Sequence, residues 1–206
     1  MEDTFISLCA TWHLPVAGKL HEIKFVHLVG VGATVIHVDG EVVLHRTSYP
    51  GKPGKDNFMV DGVDCLITVE KRVDTLHECK LFCDGASFVE YQRRFQRKFD
   101  LWKPVVVGKP FRVVLNKTSS ELFADGIVLD YERNFTETGT VTTFLLDSNL
   151  MVAGTIVSEG TASKKAVTNT LLVDAEVVPL CMDIDEKEHK LDLGLKSDQK
   201  QKKKFE

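Results

Sequence analysis

The sequence has no stretch approaching the ~20 consecutive apolar residues that a membrane-spanning helix needs. Its first residues, Met1 to Cys9, carry Glu2 and Asp3 where a secretory leader would carry positive charge followed by an apolar run. Both absences make the cytosol the expected address. There the five cysteines, Cys9, Cys65, Cys79, Cys83 and Cys181, are expected to stay reduced, and their odd number fits that. An excess of positive charge is missing as well. Twenty-six Lys and Arg against thirty Asp and Glu leave a net −4, which repels a phosphate backbone and speaks against a nucleic-acid partner. The three consecutive lysines Lys202, Lys203 and Lys204 fall short of the polybasic clusters that read as membrane-directed. Two glycosylation sequons, Asn116-Lys117-Thr118 and Asn134-Phe135-Thr136, matter only in a secreted chain and are read as unused.

Catalytic signatures are also lacking. The nucleophile-elbow pattern Gly-x-Ser-x-Gly does not occur, and Val29-Gly30-Val31-Gly32 is a short glycine pair inside a predicted hairpin, not a phosphate cradle. The run from His77 through Cys79 to Cys83 mixes zinc-ligand types. On a strand rising ~3.3 Å per residue, however, Cys79 and Cys83 stand about 13 Å apart, too far to share an ion. Both are expected to be core-facing thiols. His21, His27, His37 and His45 lie on or beside neighbouring predicted strands and are read as ordinary surface residues. No catalytic, cofactor-binding or metal-ligating residue is nominated, and no cofactor is implied.

What is present is a soluble-protein balance, 43% hydrophobic and 27% charged residues, sufficient to bury a core and to exclude wholesale disorder. The decisive feature is an internal repeat. Asp39-Gly40, in Val38-Asp39-Gly40-Glu41-Val42-Val43, returns as Asp125-Gly126 in Ala124-Asp125-Gly126-Ile127-Val128-Leu129. Asp61 after Phe58-Met59-Val60 returns at the same spacing as Asp147 after Phe144-Leu145-Leu146. Trp12 matches Trp102, and Lys80-Leu81-Phe82-Cys83-Asp84 matches Thr170-Leu171-Leu172-Val173-Asp174, both at a spacing four residues longer. The histidines of the first copy do not recur: Val114-Leu115-Asn116 stands where His27 would be.

Asp-Gly between alternating apolar flanks is the composition of a type I′ hairpin turn. The first copy has three, at Asp39-Gly40, Asp61-Gly62 and Asp84-Gly85. In the second copy Asp147-Ser148-Asn149 and Asp174-Ala175 lack the glycine, so those turns are expected to be longer or differently shaped. The strands between them alternate with period two, placing Ile23 with Phe25, and Cys65, Ile67 and Val69 together. The expected fold is all-β: two tandem antiparallel sandwich or barrel-like domains, residues 1–90 and 99–181. A basic linker, 91–98, joins them and can hold a helical turn, and residues 182–206 are too charged to bury a core and are expected to form a flexible tail.

Three segments resemble the Fas apoptotic inhibitory molecule family over about residues 8 to 180. They are Leu20-His21-Glu22-Ile23-Lys24-Phe25-Val26-His27 with Val38-Asp39-Gly40-Glu41; Phe111-Arg112-Val113-Val114-Leu115-Asn116-Lys117; and Asn169-Thr170-Leu171-Leu172-Val173-Asp174 followed by Pro179. The resemblance implies two all-β domains, no catalysis, and a cytosolic role restraining death-receptor apoptosis through contacts with death-signalling proteins. It also implies an alternative, a holdase that captures aggregation-prone clients through exposed edge strands. A β-barrel enclosing a small apolar ligand is a third reading.

Overall fold

The computed structural model describes residues 7–28, 31–47, 54–71, 77–147, 151–160, 167–181 and 189–191. Strands β1 (Ser7–Val16), β2 (Lys19–Leu28), β3 (Ala33–Val38) and β4 (Glu41–Thr47) form one antiparallel meander. A second sheet holds β5 (Lys55–Val60), β6 (Val63–Lys71) and β7 (His77–Cys83), with the two-residue β8 (Ala86–Ser87) folded back onto β7. Helix α1 (Phe88–Lys98) follows. Next come β9 (Phe99–Trp102), β10 (Val105–Val106), β11 (Lys109–Pro110), β12 (Val113–Asn116), β13 (Leu122–Ala124) and β14 (Ile127–Val128). Of these, β14-β13-β12-β9 make a third sheet, and β10 with β11 a small hairpin. The meander β15 (Tyr131–Phe135), β16 (Gly139–Asp147), β17 (Val152–Gly160), β18 (Val167–Val173) and β19 (Glu176–Val178) is the fourth. Finally β20 (His189–Leu191) returns to pair with β7.

Alternation of side chains explains the layering. In β2 the inward set is His21, Ile23, Phe25 and His27; in β6 it is Val63, Cys65, Ile67 and Val69, as the period-two pattern predicts. Facing sheets bury these sets against each other. One hydrophobic cluster gathers Trp12, Leu14, Ile23, Phe25, Ile36, Ile67, Leu81 and Phe88; another gathers Trp102, Val113, Leu122, Phe144, Ile156 and Leu171. The two tryptophans hold like positions, Trp12 opposite Ile23 and Trp102 opposite Val113.

The Asp-Gly turns form as the sequence predicts. Asp39, Asp61, Asp84 and Asp125 all have φ near +50°, and the glycine after each is also at positive φ. Three of these aspartates also pin a neighbouring strand. Oδ1 of Asp39 accepts the Glu22 amide at 2.9 Å, Oδ1 of Asp125 accepts the Arg112 amide at 2.8 Å, and Oδ1 of Asp84 accepts the Asp64 amide at 3.1 Å. A carboxylate in the left-handed region thus satisfies a backbone donor that the sheet would leave open.

Four expectations need correction. The sheets are open, with none closing into a barrel among the described residues, and their interiors are filled by the two clusters. The Asp174-Ala175 turn keeps the two-residue shape of the others, joining Val173 to its partner Glu176 with φ of 51° and 63°. Alanine accepts the left-handed conformation there because the hairpin register leaves no alternative, at about 1 kcal/mol. Ala175→Gly is therefore expected to stabilise the protein by about 0.5–1 kcal/mol, read as a rise in the urea midpoint.

The basic segment from Tyr91 to Lys98 is not a loose linker but most of α1. Ser87 caps the helix by accepting the Glu90 amide, while Phe88, Gln92 and Phe95 are buried and Arg97 and Lys98 favour the negative helix end. The Tyr91 hydroxyl donates to the Pro15 carbonyl at 3.0 Å, and the Phe95 and Phe99 rings stack at 4.4 Å. In the expected tail, His189–Leu191 lies on β7, because a sheet edge offers backbone partners that need no apolar side chains. The rest of that tail, and the turn residues Ser148 and Asn149, lie outside the described residues.

Candidate interaction surface

Residues 127–135 run along the rim of two sheets in succession. Strand β14 is the outer strand of its sheet and β15 the outer strand of the next. Edge strands present unpaired backbone groups, and natural edges are usually blunted by charge. This ribbon carries Glu132 and Arg133, yet also exposes Ile127 (69%), Val128 (62%) and Phe135 (86%). Arg133 stacks over the Tyr131 ring at 4.8 Å and donates from Nε to the Thr142 hydroxyl at 2.9 Å. Beside the ribbon lies an open groove of about 310 Å³, lined by Asp130, Tyr131 and Glu132 and by Thr143, Leu145 and Ala153 of the adjoining strands. In the first half, β4 is likewise an outer strand and exposes Val42 and Val43. The outer strand thus carries apolar exposure in both halves.

A second constellation sits at the hairpin end of the first half. His21 is buried, as is His27, which overturns the surface reading of those two histidines. Their phase on β2 decides it: both fall in register with Ile23 and Phe25. His45 is exposed, as is His13, and His37 is half-buried. The Nδ1 of His21 lies 2.7 Å from Oδ2 of Asp39, and its Nε2 lies 3.2 Å from Oδ2 of Asp61, outside hydrogen-bond alignment. Lys19 reaches the same Asp61 oxygen at 3.4 Å. The second half holds a lysine–aspartate pair of its own, beside an aromatic ring in place of a histidine. Lys109 pairs with Asp147 at 3.0 Å, and Phe111 supplies the ring beneath the lysine, 4.5 Å from its Nζ. One cluster therefore joins the two sheets through an imidazole and the other through a cation over an aromatic face.

Burial alone pushes the Asp39 carboxyl up, but the His21 hydrogen bond, the Glu22 amide and the charges of His21 and Lys19 outweigh it and hold the group below its ordinary 3.8. A depressed carboxyl contributes stability above its unfolded value, and that contribution is lost as pH falls through the lowered folded value. Asp39→Asn is expected to flatten the acid limb of the stability curve below about pH 4, measured as Tm against pH.

The two halves also touch. The Arg112 guanidinium donates from Nη1 to the Gly18 carbonyl, and a side chain on Gly18 would run into the Phe123 ring. Burial pushes the Arg112 guanidinium down to about 10, partly offset by Cys181 and Asp125, so it stays charged at neutral pH. Its Nε and Nη2 are buried without a partner among the described residues.

Among the described residues no three His, Cys, Asp or Glu side chains converge on a point that could hold a metal, and no helix is long and apolar enough to cross a membrane. Cys79 and Cys83 are buried, core-facing thiols as the strand spacing predicts, and the Cys79 thiol is pushed up to about 12 by burial and by the neighbouring Cys9 and Glu78.

These features define an all-β protein with an exposed apolar sheet edge. The model of the family described as Fas apoptotic inhibitory molecule (FAIM1) matches residues 8–181, and the chain belongs to that family. It is 27% identical to mouse Fas apoptotic inhibitory molecule 1 over 176 residues, covering 84% of this chain and 96% of the relative. Human Fas apoptotic inhibitory molecule 1 is 26% identical over 176 residues, with the same coverage of 84% and 96%. The rat protein of that name is 26% identical over 181 residues, covering 86% and 88%. Those relatives are named for inhibiting apoptosis, not for a reaction.

Proposed function

We propose that this chain acts without catalysis, as a cytoplasmic regulator that restrains death-receptor apoptosis through protein contacts made by two repeated β-domains. Family membership supports the apoptotic role. The observation that carries the contact mechanism is the rim ribbon 127–135, where unpaired backbone lies beside exposed Ile127, Val128 and Phe135. A partner strand laid on that edge gains main-chain hydrogen bonds while its side chains cover the apolar residues. Aromatic anchors at such sites carry much of the binding energy, which singles out Phe135.

The test is caspase activation in cells challenged through a death receptor, with the wild-type chain or the double variant Ile127→Lys, Phe135→Glu expressed at equal level. Both positions are exposed, so the variant is expected to fold with unchanged circular dichroism. Loss of protection in the variant supports the reading. Equal protection by wild type and variant overturns the ribbon as the contact surface, and absence of protection by the wild-type chain overturns the apoptotic role.

A further inference from the structure

The strand register brings two thiols face to face in the first core. Cys65 of β6 is directly opposite Cys83 of β7, both side chains point inward, and both are free and buried. The next pair outward, Asp64 and Asp84, is joined by a hydrogen bond from the Asp84 amide to the Asp64 carbonyl at 2.8 Å. Hydrogen-bonded and non-bonded pairs alternate along an antiparallel ladder, so Cys65 and Cys83 occupy a non-hydrogen-bonded pair, where side chains approach most closely. Opposed Cα atoms at such a site stand about 4.5 Å apart, inside the roughly 4.4–6.8 Å range a disulfide spans. The other cysteines lack this relation: Cys79 faces Val69 across the ladder, Cys9 faces Val26, and Cys181 lies beyond β19.

We propose that Cys65 and Cys83 form a cross-strand disulfide when the protein meets a hydroperoxide, a reversible staple between β6 and β7. One thiol, deprotonated, attacks a peroxide oxygen, giving a sulfenic acid and one molecule of water or alcohol. The second thiol then attacks that sulfur and expels the hydroxyl as water. Two electrons pass from the sulfur pair to the O–O bond; two S–H bonds and one O–O bond are lost, and one S–S bond and two O–H bonds form. Reduction by a dithiol reverses the exchange.

The surroundings set the rate. Cys83 is pushed up by its hydrogen bond with Cys65, by burial, and by the charges of Cys65 and Asp84; the Tyr91 phenol of α1 is pushed up by burial and by the same neighbours. The thiol form dominates and the pair lies beneath the start of α1, so oxidation awaits transient opening of that helix and β8. The pair is thereby a slow responder that ignores brief exposure, whereas the exposed Cys9 reacts without any opening.

The test uses the full chain carrying Cys9→Ser and Cys181→Ser, which removes the two thiols outside the core. After hydrogen peroxide treatment under native conditions, the protein is unfolded, its free thiols are alkylated, and non-reducing peptide mass spectrometry is performed. The expected result is a Cys65–Cys83 linked peptide two hydrogens lighter than the reduced pair, loss of two of the three titratable thiols, and recovery of all three with dithiothreitol. The oxidised form is expected to melt roughly 4 °C or more above the reduced form. Adding Cys83→Ser should abolish both the link and the shift. Retention of both thiols in alkylatable form after prolonged oxidation overturns the proposal, as does a link to Cys79 in place of this pair. Should the double-serine background fold poorly, the same peptide map on the unaltered chain decides between the same outcomes.

Discussion

Arg46→Ala is expected to destabilise the first half by about 3 kcal/mol, whereas Arg133→Ala is expected to cost the second half only about 1 kcal/mol. The two arginines do like jobs from β4 and β15, each bonding a buried residue on the next strand. Arg46 grips Asp56 bidentately, Nε to Oδ1 at 2.7 Å and Nη2 to Oδ2 at 3.1 Å, and Asp56 is 2% exposed. Removing that cation leaves a carboxylate buried without its counter-charge, the expensive half of a broken ion pair. Arg133 instead donates to the hydroxyl of Thr142, also 2% exposed. Loss of that bond strands a neutral oxygen, a smaller penalty. Urea denaturation of both variants measures the difference. Equal losses would mean that water reaches Asp56 through the partly exposed Arg46 site and screens its charge.

Trp102→Ala is the second large effect, about 3–5 kcal/mol. Trp102 is almost wholly buried in the second cluster, opposite Val113, and its neighbours Val113, Leu122 and Leu171 are fully buried. A cavity of indole size cannot close when the surrounding strands are held by ladders on both sides, so most of the lost transfer energy is felt. Trp12→Ala is expected to fall in the same range in the first cluster.

Much of the fold was legible because its signals are local. Asp-Gly pairs demand positive φ at both positions, and the four pairs at 39, 61, 84 and 125 sit in two-residue turns. The phase of Cys65, Ile67 and Val69 followed from alternation alone. Helix α1 was missed as a packed element although Ser87 and Glu90 stand three residues apart in a capping arrangement, with Phe88 and Phe95 on one helical face. In the sequence the basic charge of Arg93, Arg94, Arg97 and Lys98 masks that apolar stripe. The burial of His21 and His27 follows from strand phase, which the absence of matching histidines in the second half does not touch. Their parity with Ile23 already put them inside, where Asp39 meets Nδ1 of His21 and Thr34 meets Nδ1 of His27. The Asp174-Ala175 turn could not be read from composition, since register imposed a conformation alanine disfavours. The rim ribbon was illegible for another reason: whether Ile127 and Phe135 are covered depends on which strand ends each sheet, and order within a sheet is a long-range property.

Two cores that stabilise themselves separately, joined by α1, by β20 on β7 and by a small contact around Arg112 and Gly18, are the premise of the domain reading and of the contact mechanism built on it. Native-state hydrogen exchange on Trp102→Ala tests it directly. Amides of β16, β17 and β18 should lose protection by several orders of magnitude while those of β2, β6 and β7 keep theirs. Equal loss across both sets of strands would show a single cooperative core and contradict it.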